Sequence, residues 1–192
     1  MKKRIKIQGF LIFLALLALI FFYKHLLPVP QNKISRIILD GIGVMLFLSG
    51  YSLRIMARGY KAELNPDGKS LITQGPYALT RNPMYLGTLM ISLGIILLLL
   101  KWWAGLIFLA VYLVIYVPEI KKEETKLLAA FGDEFKDYCK VPRFFPALTS
   151  LLRSDKQSSL EFKFAWLKKE ILSLVPTLLF VGGVKIWELH HL

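Results

Sequence analysis

The stretch MYLGTLMISLGIILLLL (Met84–Leu100), followed after Lys101 and Trp102 by WAGLIFLAVYLVIYV (Trp103–Val117), decides the fold. Both runs are almost free of polar atoms. At a rise of 1.5 Å per residue, apolar helices of roughly 17 to 23 residues cross the hydrocarbon layer of a bilayer. The second run is short and borrows Trp102, Trp103 and Tyr116 at the interface. Only Lys101 and Trp102 separate the two runs, so the helices they form must turn straight back as a tight antiparallel hairpin.

Further apolar runs lie outward from this hairpin: Gly9–Leu27, Ile34–Met56 and a weaker Ile171–Trp187, interrupted by Pro176 and Gly182-Gly183. The basic lead Met1-Lys2-Lys3-Arg4 is like the start of a signal peptide. The apolar stretch after it is too long for one and carries no small-x-small cleavage site, so it reads as a retained helix. Of the 192 residues, 55% are hydrophobic, more than one soluble core of this size could hide. The expected fold is an all-α polytopic membrane helix bundle of about five transmembrane helices, with a tight hairpin and cytoplasmic interfacial helices. It is read as a single domain over 1–192, with a motif-bearing core at about 41–146 and an extra C-terminal helix at about 160–190. No internal repeat is evident, and Arg153–Ser159 is the best linker candidate.

Basic residues set the expected orientation. Twenty of the 25 fall in the N-terminal tail, the loop from Arg54 to Arg81 and the segment from Lys121 to Lys169. Lys24, Lys33, Arg36, Lys101 and Lys185 fall on the other face. The positive-inside rule puts the rich face in the cytoplasm. The net charge of +12 is then topology control and attraction to anionic lipid, not nucleic-acid binding. The single cysteine, Cys139, excludes an intrachain disulfide and a cysteine metal cluster. His25, His190 and His191 have no ligand-like spacing, so no metal site is expected.

Three polar clusters interrupt this apolar chain. The first, Thr73–Gly87, holds the turn signal Gly75-Pro76, then Tyr77, then Arg81-Asn82-Pro83-Met84-Tyr85. Asn82 before Pro83 reads as an N-cap followed by proline in the first helical turn. The free N–H groups of that turn and the Arg81 fork are a plausible seat for a carboxylate. The same residues also read as a plain helix start, with Arg81 meeting lipid phosphate. The second cluster, Pro118–Thr125, places Glu119 and Glu123 on one helix face and turns Glu124 elsewhere, free to face a pocket. The hairpin brings these acids level with Arg81, Asn82 and Tyr85. They suit ribose hydroxyls or a cationic ligand, or simply a salt-bridged helix end. In the third, Phe131–Pro146, Gly132 reads as a helix stop, and Phe131, Phe135 and Tyr138 recur at helical spacing, as in an interfacial piece. Pro142 and Pro146 fix a turn holding Arg143 at the membrane face. Asp40, two turns inside an apolar run, is costly there unless it snorkels or pairs with a neighbouring helix. Gly41, Gly43 and Gly50 in the same run permit close helix or cofactor approach.

In this order and spacing the clusters resemble the superfamily of isoprenylcysteine carboxyl methyltransferases and phospholipid methyltransferases. The matching residues are Gly75 and Tyr77, Arg81 to Gly87, Glu123-Glu124, Phe131-Gly132-Asp133-Glu134-Phe135 and Val141-Pro142-Arg143-Phe144-Phe145-Pro146. The resemblance covers roughly Gly41 to Pro146. It implies an S-adenosylmethionine-dependent methyltransferase whose lipophilic substrate enters from the bilayer, with the active site facing the cytoplasm. The membrane would be the bacterial or archaeal cytoplasmic membrane, or the endoplasmic reticulum in a eukaryote. The implied cofactor-binding residues are Gly75, Tyr77, Arg81, Asn82, Pro83, Tyr85, Glu123, Glu124, Val141, Pro142 and Arg143, with Arg81 and Glu124 also catalytic. The family's usual histidine is Asn82 here, and asparagine is no base near neutral pH. Two other readings remain. The ending Tyr138-Cys139-Lys140-Val141-Pro142 is also similar to NADPH-dependent sterol and steroid reductases, which are usually longer, and Glu123-Glu124 before Phe131-Gly132 looks more like the methyltransferases. The other is a non-enzymatic lipid-binding or transport protein, whose pore would need polar residues across several spans, where only Asp40 is conspicuous.

Overall fold

The computed structural model describes residues 33–143 and 163–191. The expected Gly9–Leu27 span, the linker candidate at 153–159 and the stretch Phe144–Pro146 lie outside them. All regular structure among the described residues is helical. Helix α1 spans Lys33–Leu64, the short α2 Pro76–Leu79, α3 Pro83–Leu99 and α4 Trp102–Tyr138. A 3-10 helix at Phe164–Lys169 leads into α5, Ile171–His191. Helices α1, α4 and α5 are long and apolar enough to cross a membrane, and α3 is a shorter apolar helix.

Two helices run beyond the apolar stretches that announce them. The expected Ile34–Met56 span continues to Leu64, since no proline intervenes before Pro66. Helix α4 passes through Pro118 without a break and carries Glu119, Glu123 and Glu124 on its last long stretch. Gly132 interrupts it at φ 52°, ψ −121°, a left-handed backbone that glycine adopts without strain. The expected stop is therefore real, and a further short helical piece follows it to Tyr138. From Trp102 to that break α4 is about 45 Å long, longer than a roughly 30 Å hydrocarbon layer, so its far end stands clear of the apolar zone.

Helices α1 and α3 lie antiparallel and touch through paired glycines. A Cβ on Gly50 would lie 2.8 Å from the carbonyl oxygen of Gly87, and one on Gly94 would lie 2.7 Å from that of Gly43. The pairs are seven residues apart on each helix, so one seam of small residues recurs every two turns and lets the backbones meet. Gly41 faces open space instead and takes no part in the seam. The α3–α4 hairpin forms as expected, turning at Lys101, with Gly105 beside Leu93 and Ile96.

Helix α5 also runs antiparallel to α1. At one end Lys185 Nζ lies 3.0 Å from Asp40 and 2.9 Å from Glu188, and Arg36 adds a 3.2 Å contact to Asp40. Asp40 thus pairs with a neighbouring helix. Arg36 also donates to the carbonyl of Leu98, at the end of α3. At the other end Tyr51 Oη donates to Ser173 O at 3.2 Å. Trp166 seats against Gly59, where any Cβ would collide with the indole, and donates from Nε1 to Glu63 at 2.8 Å.

Candidate active site

The hairpin geometry brings the three polar clusters to one end of the bundle. The last turns of α1, the first turn of α3 and the stretch of α4 around Glu123 enclose a cavity of about 110 Å³. Its wall includes Lys61, Tyr77, Arg81, Asn82, Pro83, Tyr85, Glu123, Glu124, Phe135 and Tyr138.

Helix α3 begins at Pro83 as its sequence suggests, but Asn82 makes no side-chain cap. Its Nδ2 donates instead to the carbonyl of Arg143 at 3.1 Å, a carbonyl that also accepts from Thr80 Oγ1 at 3.0 Å. The N–H of Arg81 donates to the carbonyl of Pro142 at 2.9 Å. These three bonds staple the loop before α3 to the turn after α4. Tyr138 Oη adds a fourth, donating to Tyr77 O at 2.8 Å. Burial pushes the Tyr138 and Tyr77 hydroxyls well above the usual tyrosine range, with the neighbouring Tyr77 and Glu123 respectively adding to it. Both stay neutral donors near neutral pH.

Glu124 is the hub of the charges. Arg143 grips it at two points, Nη2 to Oε2 at 2.6 Å and Nε to Oε1 at 3.1 Å. Arg81 Nη1 approaches Oε1 at 3.4 Å and donates to the thiol of Cys139 at 2.9 Å. The Arg81 Nε is buried with no hydrogen-bond partner. The bond to Glu124 raises the Arg143 pKa further above its already high value. Glu123 points along the same wall and accepts from Tyr85 Oη at 2.9 Å. Tyr112 Oη fixes the backbone below by donating to Tyr85 O at 2.8 Å. The cavity therefore offers acceptors for a cation or for hydroxyls beside a donor suited to an anion.

The structure brings together Tyr77, Arg81, Asn82, Pro83, Tyr85, Glu123 and Glu124 on the cavity wall. Gly75, Val141, Pro142 and Arg143 stand behind it. Gly75, at φ 59°, leaves room for the Tyr60 ring, which a Cβ would meet at 2.5 Å. Pro142 and Arg143 act through the staple and the grip on Glu124, and Val141 through the turn, its N–H donating to Tyr138 O at 3.0 Å. Helical periodicity alone suggests an interfacial position for Phe135 and Tyr138. They are buried, 3% and 7% exposed, and close the floor of the cavity. Sequence reasoning missed Lys61 and Asn65. The signal was the unbroken helical stretch after Met56, which carries α1 up to the cavity.

Long apolar helices, a glycine-packed antiparallel core and a charged cavity at one end define an all-α integral membrane protein. Its motif-bearing part is matched by the family model for phospholipid methyltransferase, over residues 37–134. The chain belongs to that family. It is 35% identical over 79 residues to the protein-S-isoprenylcysteine O-methyltransferase of Schizosaccharomyces pombe, covering 41% of this chain and 34% of that one. The Rattus norvegicus protein of the same name is 29% identical over 104 residues, covering 54% and 35%. The cobalt-zinc-cadmium resistance protein CzcN of Cupriavidus metallidurans is 34% identical over 87 residues, covering 45% and 39%. The chain spans little more than a third of the length of these relatives. No solved structure matches it. Among the described residues no group of acidic, cysteine or histidine side chains is placed to hold a metal ion.

Proposed function

We propose that the protein is a membrane-embedded methyltransferase that uses S-adenosylmethionine and methylates a lipophilic acceptor drawn from the bilayer. The observation that carries this reading is the convergence of Arg81, Tyr85, Glu123, Glu124 and Arg143 at the mouth of the α3–α4 hairpin. The matching family and the names of the Schizosaccharomyces pombe and Rattus norvegicus relatives support the reaction class.

The residues present fit the cofactor chemically. Its methionine end is a zwitterion, its sulfonium is cationic and its ribose offers two hydroxyls. The unpartnered Arg81 Nε is a donor ready for a carboxylate. Glu123 and Glu124 accept from an ammonium group or from ribose hydroxyls, and balance the sulfonium charge. The cavity, at about 110 Å³, is smaller than the roughly 300–1,000 Å³ of ordinary ligand sites. Binding therefore requires the cavity to widen.

The cofactor supplies a methyl group on a good leaving group. What remains for the protein is positioning and the exclusion of water. Arg81 and Glu123 orient, Tyr85 braces Glu123, and the Pro142–Arg143 turn holds Glu124 in place. A carboxylate acceptor needs no base, whereas an ammonium acceptor must lose a proton first. Asn82 cannot take that proton near neutral pH. The basic-residue asymmetry supports a cytoplasmic position for the cavity, where a soluble cofactor would arrive, with the acceptor entering sideways between helices.

Equilibrium binding to detergent-purified protein tests the reading. S-adenosylmethionine should bind saturably, Glu124→Gln should weaken it, and NADPH should not compete. Tight NADPH binding without S-adenosylmethionine binding would move the protein to the reductase class. Binding of neither would leave a lipid-binding role.

A further inference from the structure

The family match covers residues 37–134, and the segment from Lys163 onward lies outside it. Its most buried polar side chain is Glu170, with a side-chain exposure of 0%. Glu170 Oε1 accepts from Arg54 Nε at 3.0 Å and from Arg58 Nη1 at 2.8 Å, and Ser173 Oγ donates to Oε2 at 2.8 Å. A buried carboxylate is retained only with such partners. Here it sits where α5 begins, at the end of the bundle that holds the cavity.

Arg54 carries the contact onward. Its Nη1 donates to Thr88 Oγ1 at 2.6 Å, and its Cβ lies 3.2 Å from where a Cβ on Gly87 would stand. Thr88 Oγ1 donates to the carbonyl of Met84 at 2.9 Å, and Met84 and Tyr85 form the first turn of α3 at the cavity wall. A chain of short polar contacts thus runs from the start of α5 through α1 into the turn that presents Tyr85. The other end of α5 is held separately, by Lys185 on Asp40, at the far face from the cavity.

We propose that Glu170 is a positioning residue. By fixing Arg54 it makes the C-terminal helix set the first turn of α3, and with it the shape of the cavity. If α5 were only a brace, loosening it at either end would lower stability alike and leave the cavity unchanged. If Glu170 positions, loosening the inner end should alter the cavity and loosening the outer end should not. That the affected ligand is S-adenosylmethionine rests on the function proposed above; the positioning itself does not.

The thiol of Cys139, the single cysteine of the chain, touches Arg81 at the cavity and serves as a built-in reporter. Its rate of maleimide labelling should be compared in wild-type protein, Glu170→Gln, Thr88→Val, the double variant and the outer-end control Lys185→Met. Glu170→Gln keeps the volume and most hydrogen bonds, so folding should survive, and melting in detergent checks it. The expected result is a change in labelling rate of at least about threefold in Glu170→Gln and in Thr88→Val, with no further change in the double variant and none in Lys185→Met. Affinity for S-adenosylmethionine should follow the same order. Unchanged labelling in Glu170→Gln, or an equal change in Lys185→Met, would overturn the proposal. If wild-type protein takes up no S-adenosylmethionine, the proposed function fails while the labelling comparison still decides the linkage. Should Glu170→Gln not fold, Thr88→Val against Lys185→Met decides alone: equal labelling in the two overturns the linkage.

Discussion

Arg143 holds Glu124 at both carboxylate oxygens, 2.6 and 3.1 Å away, while Arg81 reaches the same carboxylate from the other side at 3.4 Å. The turn after α4 and the loop before α3 therefore share one anion. Such forked, charge-assisted pairs are directional, so Glu124 is aimed, with its partners on two different segments. The pair sits at the rim, Arg143 being 38% exposed in its side chain. Its contribution is to place Glu124 more than to stabilise the fold.

Glu124→Gln should keep the shape and lose the charge. S-adenosylmethionine affinity should fall at least about tenfold, which is roughly 1.4 kcal/mol, with melting in detergent nearly unchanged. Arg143→Lys should reproduce much of that loss, because lysine offers a point charge in place of a fork. Calorimetric titration of both variants reads this directly. Wild-type affinity in both would remove Glu124 from the binding site.

Arg81 is half engaged: one nitrogen contacts Glu124 and Cys139, and Nε has no partner. If Arg81 meets only lipid phosphate, lysine should replace it. If its fork receives a carboxylate, lysine should fail. Arg81→Lys is expected to insert normally and to lose at least about tenfold in methyl transfer, again about 1.4 kcal/mol of barrier. The measurement is transfer from labelled S-adenosylmethionine to a lipid extract. Turnover like that of wild type would return Arg81 to the phospholipid interface.

The hairpin puts Lys101 at the opposite end of α3 from Arg81, and Lys69 lies in the loop on the cavity side. In a Cys139→Ser background, Lys69→Cys and Lys101→Cys should label from opposite faces of sealed vesicles, Lys69→Cys from the cytoplasmic one. Labelling of both from the same face would contradict the bundle.

The hairpin was legible because two apolar runs flank a two-residue link that permits only one geometry. The meeting of Arg81, Tyr85 and Glu124 followed from it, since they lie at similar sequence distances on either side of the turn at Lys101. Three things were not legible. Asn82 has the sequence of a cap, yet a tertiary carbonyl from Arg143 competes for its amide and wins. Phe135 and Tyr138 have the spacing of an interfacial helix, and periodicity alone does not say whether an apolar face meets lipid or protein. Glu170 stands alone among apolar and basic residues, and only the folded chain shows the two arginines that hold it.

Alkaline pH should separate the folded and unfolded chains. Burial raises the folded pKa values of Tyr77 and Tyr138 above the ordinary tyrosine value of about 10. Between that value and the raised one the unfolded chain has released protons that the folded chain keeps, so stability declines as pH rises. Melting in detergent should hold level from neutral pH to about 10 and fall above it. Tyr138→Phe should flatten that fall. The same slope in wild type and Tyr138→Phe would assign it to other groups.

The glycine seam gives the sharpest steric test. A methyl on Gly50 would stand 2.8 Å from the carbonyl oxygen of Gly87 and from the backbone nitrogen of Ile91, and a methyl on Gly87 would stand 2.9 Å from the carbonyl oxygen of Gly50. Backbone atoms do not swing aside as a flexible side chain does, so α1 and α3 must separate. Overpacking of this kind costs typically 1–3 kcal/mol. The separation would also lift Thr88 from Arg54, because both flank the same contact. Gly50→Ala and Gly87→Ala should therefore lower melting in detergent by several degrees. The pair together should cost less than the sum of the two, since the first methyl already opens the seam. Gly41→Ala, on the same helix with nothing within 4 Å, should be neutral or slightly stabilising through helix propensity. Equal melting temperatures for Gly41→Ala and Gly50→Ala would mean that α1 and α3 do not meet through these glycines.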